Sequence, residues 1–168
     1  MNVRKALKEQ YHSGLDMLKQ CVVACPAHLW TSGKHPRTFW RIAFHNIYFT
    51  HLYLGQNEES FEPWPGRRDE FPTMWAPPWD LEPYELPEGT EPYSPESLIA
   101  YLAYVDGLVD PIVDSLDLDS EASGFRWYKN VSKISHQLMN LRHLQGHVGQ
   151  LSELLMAHDI DLEWTSIG

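Results

Sequence analysis

The chain has 168 residues, the length of one domain over 1–168, and a domain of that size can bury about 70% of its unfolded surface without a disulfide or metal staple. Thirteen Lys plus Arg against 23 Asp plus Glu give a formal charge of −10, which argues against nucleic acid and anionic lipid as partners, because both need a basic face. No apolar run approaches the roughly 18 residues that span a bilayer, and the first ten residues carry charge where a signal peptide is apolar, so a cytoplasmic protein is expected.

Four stretches have helical period and none reads as a well-formed strand. The first helix is expected from about Val3 to Cys25, on Leu7, Tyr11, Leu15, Leu18, Val22 and Cys25, with Pro26 closing it. Cys21 and Cys25 lie one helical turn apart on one face. They are too few for a disulfide framework and read as buried thiols in a reducing compartment. The second helix, about Thr38 to Gln56, is apolar nearly all round. Such a helix is buried on several sides or shared with a second copy, so a homodimer is expected unless the following loop covers that surface.

Residues 57–93 break the pattern. Nine of the twelve prolines lie between Asn57 and Pro95, together with Phe61, Trp64, Phe71, Trp75, Trp79 and ten acidic residues. Proline without apolar period means an extended crossover, and its aromatic content favours one that packs on the body, where it could serve as a lid. Arg67 and Arg68 in it read as solvated charges, with an anionic substrate as the alternative. The third helix begins with Ser94 as N-cap and Pro95 in the first helical position, and Pro111 is expected to kink or break it near Asp110. After a polar connection over 117–130, the fourth helix is expected from about Val131 to His158, on Ile134, Leu138, Leu141, Val148, Leu151 and Leu155. The expected fold is all-α, a four-helix bundle with a long Pro/Trp-rich crossover between its second and third helices.

The chemistry concentrates on the last helix. At about 100° per residue, His136, Asn140, His143 and His147 fall on one narrow line beside the apolar stripe, away from the solvent side with Arg142, Gly146, Gly149 and Glu153. His143 and His147 have the spacing that lets two imidazoles from one helix grip one metal. The spacing alone is weakly specific, and each His could equally be a hydrogen-bonded core residue. The segment lacks the Glu that follows the first His in zinc proteases, so a metalloprotease is not expected. A third ligand must come from another helix. The second helix offers His45 and His51, six residues apart, and period does not choose between them.

Two segments resemble the DinB-like superfamily of metal-binding four-helix bundles. One is Phe39-Trp40-Arg41-Ile42-Ala43-Phe44-His45, with a Trp five residues before a His. The other is His143-Leu144-Gln145-Gly146-His147-Val148-Gly149-Gln150-Leu151, an H-x-x-x-H followed by a small residue, Gln and an aliphatic residue. The resemblance implies that His45, His143 and His147 hold one divalent metal, Zn or Ni first, then Fe or Mn. It also implies a homodimer, and thiol S-transfer or isomerisation with a low-molecular-weight thiol, with metal-activated water in a hydrolase as the rival chemistry. The long 57–93 stretch departs from the family. So do His136 and Asn140, which extend the His line as candidates for orienting a ligand or touching substrate, or as plain core polar groups. The alternatives to a small-molecule enzyme are a non-catalytic metal-binding protein and a helical interaction module whose histidines are core packing. No Ser-His-Asp pattern, P-loop or dinucleotide fingerprint is present.

Overall fold

A computed structural model describes residues 2–68, 86 and 88–167. The described residues form helices and no strands: α1 (Val3–Ala24), α2 (Ala27–Trp30), α3 (Phe39–Leu54), a 3-10 turn (Glu58–Ser60), α4 (Pro95–Ser115) and α5 (Lys133–Met156). α2 is a single turn that the sequence reading did not anticipate. None of these helices is long and apolar enough to cross a membrane.

α1 packs on α4 and α5, and α3 packs on the same two helices, so four long helices ring one core. Cross-helix contacts give their directions. Arg4 donates to the carbonyls of Val113 and Leu116, Lys8 meets Asp114, and His12 meets Asp106, so α1 and α4 are antiparallel. Tyr11 meets Gln137 and Cys21 meets Ser152, so α1 and α5 are parallel. α3 and α5 are antiparallel, as shown below. α3 and α4 therefore point the same way, and the connection between them must return along the body, which is why it is long.

α3 is buried on nearly all sides within this one chain: 14 of its 16 residues are buried, leaving only His45 and Tyr48 partly open. The crossover supplies part of the cover. Phe61 lies against Tyr48 and His51, Trp64 stacks on Tyr101 at 4.6 Å, and Leu86 offers its carbonyl to Arg41 and His35. Arg68 is tied to the crossover's own end, over Tyr93 and against Glu91. Phe71, Trp75 and Trp79, and with them the lid expectation, lie outside the described residues. Cys21 is buried and Cys25 half-buried, both as free thiols.

Of the kink or break expected at Pro111, the break does not occur: α4 is one continuous helix across it. One expectation is corrected. In α5 the stripe is different from the one expected: Leu138 is 56% exposed, while Lys133, His136, Gln137 and Asn140 are buried ahead of Leu144, Val148, Leu151 and Leu155. The buried face centres nearer about 80° on the same wheel, which draws the His line toward the core. The first half of that face is polar because it serves α3. Lys133 Nζ donates to the Gly55 carbonyl and Gln137 Nε2 to that of Tyr53, meeting carbonyls that the end of α3 leaves without helical partners. A cation there also suits the negative end of the helix.

α1 approaches α5 tightly at Gly14, where a Cβ would stand 2.6 Å from Leu144 Cδ2 and 2.9 Å from Gln145 Nε2. Gly14→Val is expected to destabilise the fold by about 1–3 kcal/mol through overpacking, which outweighs the few tenths gained by removing glycine from a helix. Thermal unfolding reads this, and an unchanged or higher midpoint would contradict the close approach.

Candidate metal centre

The site is built by the register of α3 against α5. Asn46 Nδ2 donates to the Leu144 carbonyl at 3.1 Å, Asn140 Nδ2 to that of Thr50 at 3.0 Å, and Gln137 Nε2 to that of Tyr53 at 2.9 Å. As the number rises on one helix it falls on the other, so the helices are antiparallel. These buried side-chain to backbone bonds pin the register, because slipping it would leave polar groups unsatisfied. In that register His45, next to Asn46, faces His143 and His147 on either side of Leu144.

The three rings converge. His143 Nε2 lies 2.9 Å from His45 Nε2 and 3.1 Å from His147 Nε2, and the three ligating nitrogens all lie within 4.8 Å of one another. A neutral imidazole nitrogen has one in-plane position, filled by either a hydrogen or a lone pair, so His143 Nε2 cannot make two good hydrogen bonds at once. A single cation accepts lone pairs from all three. Two metal–imidazole bonds of about 2.0–2.1 Å at a tetrahedral angle subtend about 3.3 Å, so the rings need to part by only a few tenths of an ångström to seat one ion. Among the described residues this is the one group of three or more His, Cys, Asp or Glu that could hold a metal.

The protonation states agree. Burial first, and then the neighbouring histidines and Arg37, hold His45 far below its ordinary pKa. Burial brings His143 down to about 4, with the His147 charge adding to it. His147 is also lowered, mainly by burial, against the opposing effect of its bond to Gln150. All three rings therefore offer lone pairs at neutral pH. Nδ1 of His147 lies 2.7 Å from Gln150 Oε1, so Nδ1 carries the hydrogen and Nε2 keeps its lone pair for the shared point.

Phe49 closes one side, with ring centroids 4.8 Å from His45 and 5.9 Å from His143. Arg37 is exposed just before α3, close enough for its charge to act on both His45 and His147.

The remaining candidates go elsewhere. His51 is buried against Phe61 and Tyr104, with Nδ1 3.0 Å from the Tyr101 hydroxyl, a core residue away from the group. His136 is buried among Phe125, Tyr53 and Tyr128, two turns from His143. Asn140 spends its amide nitrogen on α3. Sequence reasoning did not single out Arg37 or the role of Gln150. Gln150 had a signal, since a residue three positions after a helical His can reach its ring; Arg37 had none, because it sits in an irregular turn.

The chain matches no family model, no curated protein and no solved structure.

Proposed function

We propose that this chain is a DinB-like four-helix-bundle metalloprotein in which His45, His143 and His147 hold one divalent cation, Zn or Ni first, then Fe or Mn, and which acts on a small molecule in the cytoplasm. The observation that carries the reading is the convergence of three neutral Nε2 atoms, one of them fixed in its tautomer by Gln150. Three imidazoles leave a coordination position open. Bound there, a divalent cation supplies a Lewis acid that lowers the pKa of a thiol or a water. The chain's own contribution is to hold the rings neutral, to shield them with Phe49, and to set the Arg37 charge beside them, where it favours an anionic substrate group. The reading combines this geometry with the resemblance of two motifs, and favours thiol S-transfer over hydrolysis on the resemblance alone. A homodimer rests on the same resemblance, since the apolar girth of α3 is covered within the chain.

Loading the protein with Co²⁺ tests this. Tetrahedral or five-coordinate absorption is expected, together with a sulfur-to-cobalt charge-transfer band when a low-molecular-weight thiol is added. Cobalt bands with no response to any thiol would favour a non-catalytic metal protein. That alternative draws support from the group itself, which contains no carboxylate or thiol to move a proton. No cobalt uptake would leave a helical interaction module.

Arg37→Gln is expected to tighten metal binding by several-fold, up to about tenfold, because it removes one exposed, solvent-screened repelling charge. Competition against a chromophoric chelator measures it, and an unchanged or weaker affinity would contradict the placement of Arg37 beside the group.

A further inference from the structure

The outer face of α5 is open and poor in charge. α1 and α3 pack on other sides of this helix, and Leu138 and Met156 each stand 56% exposed on the outer one. The chain carries a formal charge of −10, yet between Ile134 and Ala157 only Arg142 and Glu153 are charged with His neutral, one of each sign. The solvent face of a helix is ordinarily rich in charge, whereas depletion of charge marks the middle of a protein contact.

The face has the period of a paired helix. Met139, Arg142, Gly146, Gly149, Glu153 and Met156 recur at alternating three- and four-residue steps. At about 100° per residue all six lie between about 200° and 300° on the wheel, opposite the buried side. Met139 is half-buried and the other five are exposed. Two pairs among them are unexplained within the chain. A Cβ at Gly146 or at Gly149 would meet nothing within 4 Å, so the fold requires glycine at neither position. Glycine weakens a helix interior, and what it offers in return here is close approach from outside. Arg142 and Glu153 have no opposite charge three or four residues away on α5, and neither has an ion pair among the described residues.

The seam complements itself. Two copies of α5 can lie antiparallel about a two-fold axis midway between Gly146 and Gly149. Gly146 then faces the partner's Gly149, Arg142 one turn out faces the partner's Glu153, and Met139 beyond it faces the partner's Met156. The backbones meet where both lack side chains, and each charge meets its opposite. A parallel pair would instead set Arg142 on Arg142 and Glu153 on Glu153, which is repulsive.

We propose that the outer face of α5 is an interface between two copies of this chain, an antiparallel two-fold pair of α5 helices closed at Gly146 and Gly149 and held in register by Arg142 on Glu153. It gives the homodimer proposed above a surface, but it stands on α5 alone and needs neither the metal nor the resemblance.

Sedimentation equilibrium of the full-length protein over a range of concentrations tests this. One helix pair is a small interface, so the wild type is expected to be a dimer that dissociates on dilution, with a Kd of roughly micromolar order. Arg142→Glu and Glu153→Arg are each expected to weaken the dimer about tenfold or more, because each sets like charges face to face twice. The double variant with both reversals is expected to regain the wild-type affinity. An equimolar mixture of the two single variants is expected to form a heterodimer, since both of its facing contacts are again of opposite sign. Gly149→Phe, whose side chain enters open space within the chain, is expected to be monomeric with an unchanged helical circular dichroism spectrum. A wild type that stays monomeric up to about 1 mM overturns the proposal. So does a dimer that Gly149→Phe and the single reversals leave unweakened, or a double variant no tighter than the single ones. Metal analysis of the same samples keeps the two readings apart. One ion per chain in a monomer would remove the interface and keep the metal reading, and a dimer that takes up no metal would do the reverse.

Discussion

His143→Ala is expected to abolish metal binding, taking a stoichiometric site to no retained metal after dialysis. The reason is central placement: His143 Nε2 is the atom that both other rings approach, at 2.9 and 3.1 Å. His45 and His147 alone leave two ligands of different helices with no third group of the described residues beside them. Losing one of three protein ligands costs orders of magnitude in affinity, far more than the orienting bond of Gln150, whose loss is worth about 10–100-fold. The series His143→Ala, Gln150→Ala and wild type should therefore fall in that order of increasing affinity. Metal analysis and chelator competition read it, and stoichiometric, tightly held metal in His143→Ala would remove the assignment of the triad.

Acid is expected to destabilise the metal-free protein strongly. Burial brings His136 down to about 3, with the Lys133 charge adding to it, and His51 down to about 4. In the unfolded chain both titrate near about 6.5. As pH falls below that value, the unfolded chain takes up protons that the folded one refuses, so stability is lost from about pH 6.5 down toward the folded values. At about 1.4 kcal/mol per pH unit for each ring, the two together are worth on the order of 3 kcal/mol between about pH 7 and about pH 5. His12 opposes this. Burial lowers its pKa, but the hydrogen bonds and charges of Asp106 and Asp110 outweigh burial and raise it. Its contribution is therefore present in acid and lost as pH rises through its folded value. That pair is partly exposed and screened, worth about 1 kcal/mol or less, so the buried rings win. Urea unfolding at several pH values should show a steep acid limb that His136→Phe and His51→Phe each flatten, whereas His12→Gln should destabilise more near about pH 6 than near about pH 9. An acid limb left unchanged by both Phe variants would contradict the buried, neutral state of these rings.

Helix period carried most of the fold. The bounds of α1 and α3 fall within a residue or two of those expected from apolar spacing, and Ser94-Pro95 marks the start of α4, where Ser94 Oγ accepts from the Ser97 amide. α5 begins two residues later than expected, at Lys133, because Ser132 is its cap. The misread face of α5 has a tertiary cause. Leu138 keeps the apolar period yet is exposed, while Lys133 and Gln137 are buried because the end of α3 needs donors there, and no local pattern records what a distant helix end requires. Of the kink or break that Pro111 suggests, the break is absent, since α4 runs four residues past it.

The His line on α5 was legible because helical spacing alone aligns His143 with His147. The choice between His45 and His51 was not, since α3 is apolar all round and both faces look buried. What separates them is the register set by Asn46 on Leu144 and Asn140 on Thr50, a pairing of two helices about a hundred residues apart in sequence. Arg37 reaches the site from an irregular turn, where no period exists to be read.

Elemental analysis of the purified, tag-free protein, as isolated and after incubation with Zn, Ni, Fe and Mn followed by dialysis, decides whether the three histidines hold a metal. About one tightly held divalent ion per chain is expected. No retained metal under any of these conditions would contradict it, and would leave His45, His143 and His147 as three core rings packed against one another.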